Sequence, residues 1–177
     1  MTRKRCGMVP VISFVGRHNS GKTTVLTRVI EKLQLMGIKS AVIKHSHHML
    51  TPDDSDSGKL FAAGARQVYL STPHETLIYC REEEKSLETI IAQVIHPVDI
   101  VLLEGYKQSS YPKVEVIRSD VDPQPLELVN VIARVTDCQF DDGILQFGFG
   151  QEDELVEYLI EQTQQPDEKN PGGETNG

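Results

Sequence analysis

A glycine-rich loop near the start of the chain is the sequence feature that most constrains its fold. Gly16, Gly21, Lys22 and Thr23 fit the phosphate-binding loop (P-loop) pattern of Gly, four free positions and Gly-Lys-Ser/Thr. Glycine tolerates the positive φ and the close approach that let successive backbone N–H groups point at phosphate oxygens. In this pattern Lys22 reaches the β- and γ-phosphates, and Thr23 offers its hydroxyl to Mg²⁺. The pattern predicts nucleotide binding; the alternative is a glycine turn that arose by chance.

The segments on either side of the loop favour nucleotide binding. Residues 9–15 are mostly apolar with strand character, and residues 25–36 repeat apolar side chains at helical spacing before Gly37. The N-terminus of this helix adds a partial positive charge that favours phosphate. The candidate nucleotide-binding residues of this segment are Gly16, Arg17, His18, Asn19, Ser20, Gly21, Lys22, Thr23 and Thr24, with Lys22 also a candidate catalytic residue.

Length, charge and cysteine content narrow the class of protein. The 177 residues suit one P-loop domain over residues 1–163, followed by a polar tail at 164–177 that we expect to be disordered. The net charge of -8 and the lack of a Lys/Arg stripe argue against nucleic acid as a partner. No apolar run approaches a membrane span. Three cysteines without a CxxC spacing indicate reduced thiols in a cytoplasmic protein.

The order of the predicted elements indicates an α/β fold of the P-loop NTPase class. Residues 9–44 form a βαβ unit, whose two strands should be parallel. Later apolar strands extend this unit into a doubly wound, mostly parallel sheet, and two β-rich runs predict an antiparallel hairpin extension of it. The later strands are 100–103, 113–117 and 129–135, the hairpin runs are 67–71 and 76–80, and a closing helix spans 152–162.

Two acidic residues flank the predicted strand 100–103, and their positions indicate which of them can bind Mg²⁺. Ligands bind at the C-terminal ends of the strands in a doubly wound sheet. Asp99 precedes the strand, whereas Glu104 closes it at the end where a carboxylate can hold Mg²⁺ directly or through water. We therefore predict that Glu104 is a catalytic residue and that it binds Mg²⁺ together with Thr23.

A histidine-rich segment is expected at the same edge of the sheet. Lys44, His45, His47 and His48 leave the second strand at its C-terminal end. We predict that they make polar contacts beside the phosphates. The alternative is a metal site, although no cysteine or carboxylate at ligand spacing accompanies the histidines.

The acidic loop at residues 49–58 has two interpretations. Asp56 can belong to a switch that orders around Mg²⁺ and the γ-phosphate. Alternatively, the loop is solvated acidic surface in which Asp56 or Ser57 caps a short helix.

Asp137 follows the predicted strand 129–135 and is a candidate for contact with the nucleotide base. A carboxylate can accept hydrogen bonds from guanine N1–H and N2–H₂. The Asn/Thr-Lys-x-Asp guanine motif is absent from the sequence, so a turn or capping role is the alternative.

Several of these motifs, in this order, resemble the molybdopterin-guanine dinucleotide biosynthesis protein B (MobB) family over about residues 9–160. The resemblance implies a homodimeric GTP-binding P-loop protein. It also implies a partner, the MobA-type guanylyltransferase that joins GMP to molybdopterin, and it leaves open whether molybdopterin contacts this chain. The motifs are the P-loop, Lys44–His48, Asp56-Ser57, Ala63–Ala65, Leu103–Lys107 and Pro112–Val116.

Three functional hypotheses follow. The first is a GTP-binding accessory protein with weak hydrolysis, because no obvious arginine finger or water-positioning glutamine is supplied in cis. The second is a small-molecule kinase, which needs a lid carrying arginines, and residues 45–62 hold none. The third is a metal or metal-cofactor carrier that uses the histidine-rich segment.

Overall fold

The computed structural model describes residues 9–46, 54–94 and 97–164. In these residues strands and helices alternate as expected of an α/β protein. The strands are β1 Val11–Gly16, β2 Ser40–Lys44, β3 Gln67–Ser71, β4 Thr76–Cys80, β5 Ile100–Glu104, β6 Lys113–Ile117, β7 Val131–Thr136 and β8 Leu145–Phe147. The helices are α1 Lys22–Leu35, α2 Asp56–Ala62, α3 Leu87–Ala92 and α4 Glu152–Gln164.

The main sheet has six strands in the order β2-β5-β1-β6-β7-β8, and every neighbouring pair is parallel. The chain adds β2 and β5 on one side of β1 and the later strands on the other. The loop after β1 therefore lies at the topological switch point, where doubly wound sheets bind ligands. The predicted α/β fold with a mostly parallel sheet is confirmed.

The central strands are apolar because both of their faces are covered. All five residues of β5 and all six residues of β1 are buried. Helix α1 contributes Val25, Leu26, Val29 and Leu33 to the same core. Helix α4 packs against α1, and an ion pair of 2.8 Å between Lys32 of α1 and Asp153 of α4 joins the two helices at the surface. The apolar stripe predicted for α1 is thus the face that packs on the sheet.

Charged residues are also buried in the sheet, and each has partners. Glu115 on β6 is fully buried and its Oε2 lies 3.0 Å from Nε of Arg134 on β7. The other oxygen of Glu115 accepts a hydrogen bond of 2.6 Å from the amide of Leu126. Arg134 also contacts Asp142 at 2.5 Å. Because a buried charge without partners is costly, these contacts fix the loops that follow β6 and β7.

Lys113 begins β6 and is likewise fully buried. Burial lowers the pKa of its ammonium group. Its Nζ donates to three backbone carbonyls, which satisfy all three of its N–H groups at the N-terminal edge of the sheet. The acceptors are the carbonyl oxygens of Ser109, Tyr111 and Val129.

The chain divides into two compact units. One spans Met1–His45 and Val94–Gly177 and contains the six-stranded sheet; the other spans Ser46–Gln93. In the second unit β3 and β4 pair antiparallel, as predicted, but they form a sheet of their own. Whether the two units make one domain over residues 1–163 stays a prediction.

Three details differ from the sequence-based expectations. Ser55, not Asp56 or Ser57, caps α2, because its hydroxyl accepts a 3.1 Å hydrogen bond from the amide of Gly58. Strand β8 was not predicted. Helix α4 extends to Gln164, the first residue assigned to the tail, and the rest of that tail lies outside the described residues. No helix among the described residues is long and apolar enough to cross a membrane.

Candidate functional site

The P-loop connects the C-terminal end of β1 to the first residue of α1. A Cβ atom on Gly16 would lie 2.4 Å from the carbonyl oxygen of Val116, so only glycine allows β1 and β6 to approach this closely. Asn19 and Gly21 adopt left-handed φ values of 59° and 90°. Gly21 caps α1 without a side-chain hydrogen bond. The amides at the start of α1 are therefore available to an anion.

Lys22 folds back over the loop. Its Nζ donates a hydrogen bond to the carbonyl oxygen of Arg17 at the opposite side of the loop. The pKa of Lys22 is lowered, first by burial and then by the positive charges of Lys107 and Lys44, whereas Glu104 acts in the opposite direction. The ammonium groups of Lys22, Lys44 and Lys107 thus lie near one another, and Glu104 offsets part of their charge, an arrangement that suits phosphate.

Glu104 connects the P-loop helix to the neighbouring strands. Its Oε1 accepts a 2.8 Å hydrogen bond from the hydroxyl of Thr23, and its Oε2 lies 3.2 Å from Nζ of Lys44. The structure therefore brings together three of the predicted site residues. Asp99 lies at the other end of β5, where it accepts a 2.8 Å hydrogen bond from the amide of Lys39.

Only part of the histidine-rich segment can be described. The amide of His45 donates to the carbonyl oxygen of Glu104 at 3.2 Å, and the His45 ring lies 5.3 Å from the ring of Tyr106. His47 and His48 lie outside the described residues. Among the residues that are described, no group of three or more His, Cys, Asp or Glu side chains could hold a metal ion.

Asp56 is the first residue of α2, in the unit Ser46–Gln93. It is exposed, and its carboxylate lies 3.3 Å from the ammonium group of Lys59 one turn later. This position in the first turn of a helix is favourable for an acidic residue. A role of Asp56 near the γ-phosphate stays a prediction.

Asp137 is exposed, and its side chain binds the loop that follows β6. Its two carboxylate oxygens accept hydrogen bonds from the amide of Ser119 at 2.7 Å and from the hydroxyl of Ser119 at 3.0 Å. The backbone hydrogen bond is the main cause of its lowered pKa. The described contacts correspond to the capping alternative, while contact with a base stays a prediction.

Arg118, which lies beside the loop, was missed in the sequence, whereas Arg17 and Ser20 were among the predicted residues. Arg118 follows β6, and its Nη2 would lie 3.3 Å from a Cβ atom on Gly21. Arg17 forms an ion pair of 2.7 Å with Asp122, without hydrogen-bond geometry. The hydroxyl of Ser20 is buried and has no hydrogen-bond partner among the described residues, so it can contact a ligand in the loop. The only available sequence signal was the position of Arg118 directly after a predicted strand.

The family profile described as molybdopterin guanine dinucleotide synthesis protein B (MobB) matches residues 11–137. The molybdopterin-guanine dinucleotide biosynthesis adapter protein of Escherichia coli (strain K12) is 28% identical over 163 residues, which cover 87% of this chain and 93% of that protein. The probable adapter protein of the same description from Bacillus subtilis (strain 168) is 30% identical over 128 residues, 70% of this chain and 74% of that protein.

A solved structure has the same fold. The crystal structure of Bacillus subtilis MobB superposes with a TM-score of 0.69 at 27% identity, covering 86% of this chain and 97% of that one. The likeness therefore extends over both the P-loop half of the sheet and the strands that follow it.

The close contact at Gly16 generates the first prediction. Gly16→Ala and Gly143→Ala both place a side chain at a positive φ, but Gly143 has nothing within 4 Å of the added Cβ. We expect Gly143→Ala to lower the free energy of unfolding by about 1–2 kcal/mol from strain alone. Gly16→Ala should cost clearly more, because β6 or the loop must move. Urea unfolding measures both, and equal losses would contradict the close approach.

Proposed function

Because the chain belongs to the molybdopterin guanine dinucleotide synthesis protein B family, we propose that it is a GTP-binding adapter with weak GTPase activity. In this role it assists the attachment of GMP to molybdopterin, which gives molybdopterin guanine dinucleotide. The observation that carries the proposal is the cluster of Thr23, Glu104 and Lys44 directly beside the P-loop. In the P-loop pattern the hydroxyl at the position of Thr23 contacts the Mg²⁺ of a bound nucleoside triphosphate.

The charges around the loop support binding of the triphosphate. The positive charges of Lys107 and Lys44 lower the pKa of Lys22, and the negative charge of Glu104 raises it. These groups are therefore close together, and three of the four are positive, although the whole chain carries a net charge of -8. A triphosphate would add anionic partners to the one that Glu104 provides. Lys22 can then exchange its hydrogen bond to the Arg17 carbonyl for phosphate oxygens.

The oxygen atoms of Thr23 and Glu104 fit a Mg²⁺ ion. Mg²⁺ prefers hard oxygen ligands and is held in such sites by one or two protein groups together with water and phosphate. A hydroxyl and a carboxylate whose oxygens lie 2.8 Å apart, one on α1 and one at the end of β5, provide that set. Bound Mg²⁺ would neutralise phosphate charge, and Glu104 and Thr23 would orient it.

Weak hydrolysis is consistent with the pairing of the loop arginine. Arg17 is the arginine within the P-loop, and its guanidinium group is engaged by Asp122. An arginine that stabilises phosphoryl transfer must point its charge at the γ-phosphate. We propose that the chain acts chiefly through a partner, a MobA-type guanylyltransferase, and does not depend on rapid turnover.

We also propose that the chain forms a homodimer through the unit Ser46–Gln93. The β3–β4 hairpin exposes large apolar side chains on both of its faces, which is unfavourable in water and common at interfaces between subunits. The exposed residues are Tyr69, Leu70, Leu77 and Ile78, with fractional exposures of 62%, 44%, 47% and 47%.

Removal of the loop ammonium tests the phosphate site. Lys22→Ala should weaken GTP binding about 10- to 150-fold, because a charge-assisted hydrogen bond contributes about 1.5–3 kcal/mol. Lys32→Ala is the matched control, since Lys32 lies on the same helix but pairs with Asp153. Calorimetric titration with GTP measures both variants. Unchanged affinity of folded Lys22→Ala would exclude the P-loop as the binding site.

A pair of isosteric variants tests the Mg²⁺ ligand. Glu104→Gln and Asp99→Asn each remove one negative charge at an end of β5, but only Glu104 contacts Thr23. We expect Glu104→Gln to reduce the Mg²⁺ dependence of GTP binding, because the carboxylate no longer attracts the cation. Asp99→Asn should behave like the unaltered chain. If both variants change the Mg²⁺ dependence equally, Glu104 is not the specific ligand.

Single-turnover hydrolysis tests the adapter role. The chain alone should hydrolyse GTP at a rate on the order of 10⁻⁴ to 10⁻³ per second, the range of a P-loop GTPase without an arginine finger. Arg17→Ala should leave this rate unchanged, because Arg17 is held by Asp122. Addition of the guanylyltransferase is the companion measurement. A rate above about one per second without a partner would instead identify a self-sufficient enzyme.

A further inference from the structure

Arg118 lies between the P-loop and an aromatic side chain. Its Cζ is 4.3 Å from the centroid of the Phe149 ring, and its Nη2 is close to the backbone of Gly21. The side chain is half-buried, and no carboxylate of the described residues pairs with it. An arginine in such a position has its charge and its planar face available for a ligand.

The backbone that carries Arg118 is held firmly. Its carbonyl oxygen accepts hydrogen bonds of 3.1 Å from the amides of both Val121 and Asp122. The next residue, Ser119, is held by the carboxylate of Asp137. The guanidinium is therefore presented from a closed turn, which reduces the entropy lost when a ligand binds.

A groove of about 440 Å³ lies at the C-terminal ends of β7 and β8. Gly148, which precedes Phe149, lines it together with Phe140 and Phe147. The side chain of Gln146 donates to the carbonyl oxygen of Phe140 and accepts from its amide, so this wall is fixed. The groove combines aromatic rings with polar groups, as sites for small planar ligands do.

We propose that Arg118 is the stacking platform for the purine base of the bound nucleotide, and that the base edge enters the groove beside Phe147. This proposal rests on the proposed function. Gly21 borders Arg118 on the phosphate side, and on the other side Phe149 follows directly after Gly148, which lines the groove; this is the order in which a nucleotide extends from phosphates to base. Phe149 is a positioning residue, because it covers one face of the guanidinium and leaves the opposite face for the base.

The chemistry of arginine explains why it suits this position. A guanidinium is planar and delocalised and stacks on aromatic faces, whereas the ammonium of lysine is a compact point charge. Arg118 can therefore contribute a flat surface to the base and a positive charge near the phosphates. The two contributions can be separated, because lysine retains only the second.

The test compares GTP with inorganic tripolyphosphate, which has the phosphates but no base, by calorimetric titration. Arg118→Lys and Phe149→Leu should each weaken GTP binding about 5- to 150-fold, the range of base stacking on a side chain. Both should bind tripolyphosphate as the unaltered chain does. Arg81→Lys is the matched control, since Arg81 lies 4.0 Å over the ring of Phe61 in the unit Ser46–Gln93 and should leave GTP affinity unchanged.

The possible failures are distinguishable. Equal weakening of GTP and tripolyphosphate by Arg118→Lys would identify Arg118 as a phosphate ligand and overturn the platform. Unchanged GTP affinity in both folded variants would also overturn the platform, but it would not contradict the proposed phosphate site. If the unaltered chain binds neither ligand, the proposed function fails and this proposal fails with it. Thermal unfolding of each variant confirms that the fold is retained, and Phe149→Leu decides the question if Arg118→Lys does not fold.

Discussion

The parallel pairing of β1 with β5 is the interaction on which the site depends. It places Phe14 opposite Glu104 near the ends of the two strands, and the amide of Gly105 donates to the carbonyl oxygen of Phe14 at 3.0 Å. The hydroxyl of Ser13 adds a 2.6 Å hydrogen bond to the carbonyl oxygen of Gly105. Because β1 continues into the P-loop, this register alone brings the carboxylate of Glu104 to the first turn of α1 and into contact with Thr23.

The predictability of each part follows from how local its determinants are. The P-loop and α1 were predicted because a short spacing of residue types defines both the turn and the chemistry. Glu104 was predicted because an acidic residue at the end of a buried strand needs only the polarity of a parallel sheet. Strand β8 was missed because three residues, Leu145–Phe147, are too few to show a period, and it is defined by pairing with β7.

Arg118 at the candidate site was also missed because its position depends on strand pairing and not on local sequence. A position directly after β6 places it at the correct edge of the sheet, but many loop residues share that property. What selects Arg118 is that β6 pairs with β1, so that Val116 lies opposite Gly16 and the next loop lies beside Gly21. Strand order is a long-range property, and a single sequence without its structure does not provide it. The contact of Asp137 also depends on strand order, because its partner Ser119 follows a different strand.

The ion pairs around the loop bear on how fast the proposed nucleotide site would react. Lys44 is paired with Glu104, and Arg17 with Asp122, so two cations that could stabilise charge on the γ-phosphate are partly neutralised by neighbours. Preorganised charge accelerates a reaction only when it points at the position where charge develops. To point at the γ-phosphate, either side chain must break its ion pair with the neighbouring carboxylate. The cost of breaking the ion pair reduces the net stabilisation of the transition state. Under the proposed function, these two ion pairs are therefore consistent with weak hydrolysis by the chain alone.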